Sequence, residues 1–458
     1  MPLSHAIDIN ASLNNPPFQQ LSQQLSEIRK RSRARDEFDT LEQELHQVFA
    51  EAERKCLKQL LSDYDIDVET FRFANKTYRR SHRCSKRYMT VTGEITVERS
   101  LYRHTRNGET VCPLELNAGM VERFWTPQAA KQAIHLVSLL TPAEVETVFA
   151  ELGHMNPSKS SLDRLPKQLS EHWEAQRDQL DARLCEQHEV PDEATMLSVS
   201  LDGVLIPTRY TRVLASDSRY AEASCGTLSF YDKEGEILGT RYFSRMPEHK
   251  KKTLKSQLTQ ALEQVLAKRP LLEVIKIADG AKDNWTYLED TLPQGECVLD
   301  FYHASEHLFA AMEAIYGKDD ARTTTQHSKY RELLRDDEHG VDKVLRHLRY
   351  QLRKTPNKKA LKAEVTYFSR QRHRCHYAQL KAENKPIGSG VVEAACKSIV
   401  QLRLKRSGQR WDDEGGQAIL TFRSLVKSKQ FDQAWELIKE FYQQNLQLPE
   451  NVIKFPEI

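Results

Sequence analysis

The stretch from 194 to 316 restricts this chain to few folds. It opens with Met196-Leu197-Ser198-Val199-Ser200-Leu201, an alternating run that reads as a strand and reaches Asp202-Gly203. Cys225 to Tyr231 and Ile237 to Phe243 read as two more strands. The turn Asp232-Lys233-Glu234-Gly235 joins them, so an antiparallel meander is expected. Lys250 to Lys268 places Leu254, Leu258, Leu262, Val265 and Leu266 at helical spacing. Val274 to Ala278 and Cys297 to Asp300 are short apolar runs of the kind buried on both faces of a sheet, each followed by helical sequence. The expected order is βββαβαβα, with Asp202 ending the first strand and Asp279 the fourth.

The rest of the chain is read around this α/β unit, within an α+β multidomain whole. Residues 1–20 are a polar tail expected to be mobile. Apolar residues recur at helical spacing over 21–61, and a long helix is expected over 21–66. A β-hairpin turning at Gly93 follows within 67–120, preceded by Tyr78-Arg79-Arg80-Ser81-His82-Arg83-Cys84-Ser85-Lys86-Arg87-Tyr88. Basic side chains beside aromatic ones fit nucleic-acid contact, and equally a solvated hairpin face. Helix starts at Thr126-Pro127, Thr141-Pro142-Ala143-Glu144 and Asn156-Pro157 make 121–193 a helix-turn-helix-like module for DNA, or a three-helix packing without it. Residues 317–386 are a basic helical insertion, and 387–458 return to complete the unit and add C-terminal helices.

Composition narrows the classes. The chain has 458 residues, 39% hydrophobic and 29% charged, which is globular and on the polar side. No apolar run approaches the ~18–20 residues that span a bilayer, and the N-terminus shows no secretory signal. An intracellular, cytoplasmic protein without membrane association is expected. The eight cysteines form no CxxC pair, which excludes a zinc ribbon or a disulfide framework. The net charge of +2 conceals a basic excess between Val341 and Leu380. There Lys343, Arg346, Arg349, Arg353, Lys354, Lys358, Lys359, Lys362, Arg370, Arg372 and Arg374 face two acids, Asp342 and Glu364, so an anionic partner is expected.

Three acids carry the chemistry: Asp202, Asp279 and Glu393, the last in Gly388-Ser389-Gly390-Val391-Val392-Glu393. Hard divalent cations take oxygen ligands, and two ions about 3.5–4 Å apart serve phosphoryl transfer. Taken singly, each has a plain alternative, an Asp-Gly turn for the aspartates and a solvated helical face for Glu393. Asp300, in Leu299-Asp300-Phe301-Tyr302-His303, also ends a strand and competes with Asp279 as second ligand. His303 and His307, four apart, admit a zinc reading that lacks a third ligand.

The segments Leu201-Asp202-Gly203, Ala278-Asp279-Gly280-Ala281, Asp300-Phe301-Tyr302-His303 and Gly388 to Glu393 resemble those of DDE transposases of bacterial insertion sequences. The Asp-x-x-His element and Arg403-Leu404-Lys405-Arg406-Ser407-Gly408-Gln409-Arg410-Trp411 are similar to the Mutator-like group. The resemblance covers about 195–430. It implies a ribonuclease-H-like core, two Mg²⁺ (or Mn²⁺) ions on Asp202, Asp279 and Glu393, and Asp300 and His303 as accessory residues near the scissile phosphate. It also implies double-stranded DNA, both element ends and target, as partner, a homodimer or larger assembly, and a nucleoid-associated bacterial protein. Arg353, Lys354, Lys358, Lys359, Arg403, Lys405, Arg406 and Arg410 are the expected DNA-binding cations. Trp411 is either a base-stacking residue or an aromatic core anchor. A nuclease without strand transfer and an inactive DNA-binding derivative are the alternatives.

Overall fold

The computed structural model describes residues 16–33, 37–153, 155–187, 189–209, 219–354 and 358–443. The chain divides into two compact units, 1–169 with 435–458, and 170–434. Both mix helix and sheet. Among the described residues no helix is long and apolar enough to cross a membrane.

In the first unit, two helices, Pro16–Arg33 and Phe38–Ser62, replace the single long one expected over 21–66. Lys55 donates to Gln20 at 2.5 Å and Arg31 pairs with Glu44 at 2.5 Å, so the two lie antiparallel. A lone helix of that length would leave its apolar stripe in water, and folding back covers part of it. The tail expected over 1–20 lies outside the described residues as far as 15, and from Pro16 the chain is helical.

A four-stranded antiparallel sheet follows: β1 (Thr70–Phe73), β2 (Lys76–Thr90), β3 (Gly93–His104) and β4 (Thr110–Val111). The basic stretch 78–88 is therefore itself strand. Its alternation puts Tyr78 and Tyr88 in the core, while Arg79, Arg83 and Arg87 face outward. The helices Pro127–Leu139 and Pro142–Leu152 start at the expected prolines. Thr141 and Glu144 form a reciprocal capping box. Lys159–Ala175 is the third helix of this region.

The second unit holds the five-stranded sheet, ordered β7-β6-β5-β8-β9. Its strands are β5 (Met196–Pro207), β6 (Tyr220–Tyr231), β7 (Ile237–Arg245), β8 (Glu273–Ala278) and β9 (Glu296–Leu299). β5, β6 and β7 pair antiparallel, and β5, β8 and β9 run parallel. The chain order of elements read from the sequence, βββαβαβα, is the one observed. Alternation splits the core between the two faces. Leu197, Val199, Leu201 and Val274 pack with Leu254, Leu258, Leu262 and Trp285 on one side. Ile275, Ile277, Val298 and Leu299 pack with Phe301, Leu308 and Met312 on the other.

The insertion is four helices, Ala321–Asp336, Gly340–Lys354, Lys359–Gln371 and Tyr377–Ala382, and Val344, Leu345, Leu348, Leu361 and Phe368 extend the second core into it. After it come the short helix Gly390–Ala395, a π-helical turn Cys396–Gln401, and the helices Asp413–Lys427 and Phe431–Tyr442.

Candidate functional site

β5 does not stop at Asp202. It runs on to Pro207 because β6 pairs with it that far, so Asp202-Gly203 is extended strand rather than a turn. The parallel partner ends sooner: the last pair of β5 with β8 is Ser200 with Ile277. Asp202 and Asp279 each lie two residues beyond that pair. Ala278 pairs with Leu299, so Asp279 and Asp300 each lie one residue beyond theirs. Three carboxylates thus stand in one row across three adjacent parallel strands, just past the carboxyl ends of β8 and β9 and midway along β5, with strands about 4.8 Å apart.

The three have different surroundings. Asp300 is 1% exposed. One carboxylate oxygen accepts the His303 N–H at 2.6 Å, capping the helix Phe301–Tyr316, and the other accepts the Ser389 N–H. Phe301 N donates to Ile387 O at 3.0 Å, so the chain before Gly390 is zipped onto the end of β9. A Cβ at Gly388 would lie 2.9 Å from the Tyr302 ring, so a side chain there has to push that ring aside. Both Asp300 oxygens are therefore committed to backbone. Asp279 is half-buried: one oxygen accepts from Ala281 N at 3.1 Å and Asn284 Nδ2 at 3.0 Å, and its other oxygen has no partner among the described residues. The Trp285 indole donates to the Asp279 carbonyl at 2.6 Å. Asn284, 3% exposed, is a positioning group that the sequence did not single out. Its place in the first turn after Asp279 was the available signal.

Glu393 sits in the first turn of Gly390–Ala395, which packs on β5 and β6. Burial raises its carboxyl above the ordinary range, and the charges of Asp300 and Asp202 add to that. Burial likewise raises Asp202, with the Asp279 charge adding and the Gly203 N–H opposing. Glu393 therefore lies in the field of Asp300 and Asp202, and Asp202 in that of Asp279. The Cys396 thiol, in the π-helical turn, donates to Asp202 at 3.8 Å and neighbours Cys225. π-turns inside helices often accompany functional sites.

Among the described residues, the only three acid, histidine or cysteine groups with ligand atoms mutually within 4.8 Å are Glu273, Glu296 and Glu383. They lie where β8 and β9 begin, and the Lys385 ammonium pairs with all three. Asp202, Asp279 and Glu393 do not close to that distance. His303 and His307 belong to no such group among the described residues. Their rings meet edge-on at 5.2 Å, and His307 Nδ1 is held by Glu364 at 2.7 Å; among the described residues the zinc reading finds no third ligand.

The expected DNA-binding cations divide. Arg353, Lys359, Lys405 and Arg410 are exposed. Lys354 is also exposed and lies over the Tyr350 ring at 4.4 Å. Lys358 is committed to the Ile315 carbonyl at 2.9 Å, and Arg406 Nε to the Leu402 carbonyl at 3.2 Å. Arg403 is 1% exposed, with its guanidinium over the Trp411 ring at 5.1 Å, so it faces the interior rather than a ligand. Trp411 donates from Nε1 to Leu404 O at 3.0 Å and from its backbone to Pro207 O at 3.2 Å. Of its two readings, the anchor is the one with contacts. In the first unit the hairpin cations are paired: Arg79 with Glu69, Arg80 with Asp67, Arg83 with Asp65, and Arg87 with Glu94.

No known protein family matches the sequence, and no curated protein matches it. Among solved structures, a Drosophila P element transposase strand transfer complex aligns with 70% of this chain and 82% of that one, at 12% identity and a TM-score of 0.25. A superposition that loose carries no structural inference.

Proposed function

We propose that the chain is a DDE-type DNA transposase with a ribonuclease-H-like core, whose centre is Asp202, Asp279 and Glu393. The observation that carries this is the row of carboxylates running from the middle of β5 to the carboxyl end of β8, with Glu393 brought over it from a distant part of the chain. An all-oxygen donor set in which burial and mutual repulsion raise two of the acids fits a hard divalent cation, Mg²⁺ or Mn²⁺, in one or two sites. When bound, such ions supply Lewis acidity for the attacking and leaving oxygens of phosphoryl transfer. The chain's own residues prepare that chemistry. Asn284 and the Ala281 N–H fix one Asp279 oxygen and leave the other for the ion. Asp300 is a positioning residue, holding Ser389 so that Gly390–Ala395 presents Glu393. His303, half-exposed at the start of its helix, borders the centre.

Element ends would be bound through the first unit's three-helix region, and joining two ends calls for at least a dimer. The test is end-labelled DNA carrying the sequences that flank the coding region, incubated with supercoiled plasmid and Mg²⁺. Strand-transfer products are expected, lost in Asp202→Asn, Asp279→Asn and Glu393→Gln. Cleavage without joined product would favour a nuclease, and no metal-dependent cleavage at all would overturn the reading.

A further inference from the structure

A cavity of about 560 Å³ opens beside Asp279, between Gly280 and the insertion helix Lys359–Gln371. Its floor is an aromatic stack, the Tyr367 ring lying 3.6 Å from His307 and nearly parallel to it. Tyr367 rests on Gly280 so closely that a Cβ there would meet the ring at 2.4 Å, and Gln371 donates to the Gly280 carbonyl at 3.4 Å. The cavity wall is thus continuous with the turn that carries Asp279. Its rim holds Lys359, Lys362 and Arg370, all exposed, with no acidic partner among the described residues.

Several other cations of the insertion are neutralised: Lys343 by Asp337, Arg372 by Asp342, Arg374 by Glu289 and Lys381 by Asp336. The one acid lining the cavity, Glu364, is already bound to His307 at 2.7 Å. The buried Tyr367 hydroxyl has no hydrogen-bond partner among the described residues. Three uncompensated cations around a concavity of ordinary ligand-pocket size, ~300–1,000 Å³, are complementary to phosphate oxyanions.

We propose that this cavity is a subsite for the phosphate backbone of the nucleic-acid strand being processed, gripping it next to Asp279. The proposal rests on the transposase reading above for the identity of the strand. The cations position the strand, and Asp202, Asp279 and Glu393 act on it.

The test measures affinity of the full chain for a fluorescein-labelled DNA duplex by anisotropy across a salt series. Each duplex phosphate contact contributes about 0.9 to the slope of log K against log salt. The variant Lys359→Gln, Lys362→Gln, Arg370→Gln should lower that slope by about 2–3, and the charge-preserving Lys359→Arg, Lys362→Arg, Arg370→Lys should restore it. A control removing Arg322, Lys329 and Arg335 from the helix Ala321–Asp336 should leave the slope within about 1 of the parent. A slope unchanged in the first variant, or lowered equally in the control, overturns the proposal. So does deoxynucleoside monophosphate binding as tightly as the duplex through the same three cations, which would make the cavity a nucleotide pocket. These readouts use no cleavage, so failure of the subsite and failure of the catalytic reading are told apart.

Discussion

Asp279 and Asp300 are the same side chain one strand apart, and their neighbours give them different work. Removing Asp300 strands two N–H donors, of His303 and Ser389. Losing an N-cap costs about 1 kcal/mol and orphaning a buried donor about 1–3 kcal/mol more. Asp300→Ala should therefore lose roughly 2–4 kcal/mol in urea unfolding, and Asp279→Ala, which leaves the Asn284 amide unpaired but removes no N-cap, about 1–3 kcal/mol. The reverse ranking would return Asp300 to the role of metal ligand. Sequence spacing could not separate the two, because both simply follow an apolar strand. What distinguishes them is Ser389, whose approach depends on the path of the whole insertion. Trp411 was ambiguous for the same reason, since the carbonyls it meets, of Pro207 and Leu404, are set by tertiary packing. Gly388→Ala supplies a second residue-scale check. The added Cβ must displace Tyr302, so strand transfer should fall at least tenfold while duplex affinity stays within twofold of the parent.

Elements were legible where period decided them. β8 and β9 are short apolar runs, and Lys252–Lys268 repeats leucines every four residues, so their identity followed from the sequence. β5 was read too short because Gly203 looks like a turn, whereas pairing with β6 carries it on to Pro207. The helices Arg177–Gln187 and Lys252–Lys268 meet through Asp181, which accepts from Gln257 at 2.8 Å. Burial pushes the Asp181 carboxyl up to about 6, Gln257 opposing. A carboxyl raised in the folded state holds its proton more firmly there than in the unfolded chain. Its effect favours folding in acid, and that stability is lost as pH rises from the ordinary carboxylate range through about 6. Asp181→Asn should then raise the urea midpoint at pH 8 and leave it nearly unchanged at pH 4.5. Equal shifts at both pH values would mean that Asp181 is not held protonated.

At the scale of the molecule, each unit carries its own sheet and core, and the second is continuous in sequence. A fragment from Lys159 to Tyr442, which keeps the boundary helices whole, should be soluble and unfold in one cooperative calorimetric transition. It should retain salt-sensitive duplex binding through Lys359, Lys362 and Arg370, while end-specific binding is lost with the first unit. Loss of both, in a folded fragment, would place all DNA contact in the first unit. The zipper between Asp300 and Ser389 spans 89 residues of chain. Closing a loop costs only about 0.6 kcal/mol more for each doubling of its length, and the intervening helices fold on local contacts first. The length of the segment between those two residues is therefore a weak constraint, whereas its contacts are a strong one, since Tyr367 and Gln371 rest on Gly280 beside Asp279. During synthesis the order is fixed the other way: until Ser389 has emerged, Asp300 has half its bonds and Glu393 does not yet exist, so an incomplete chain is less stable and lacks the third acid of the proposed centre.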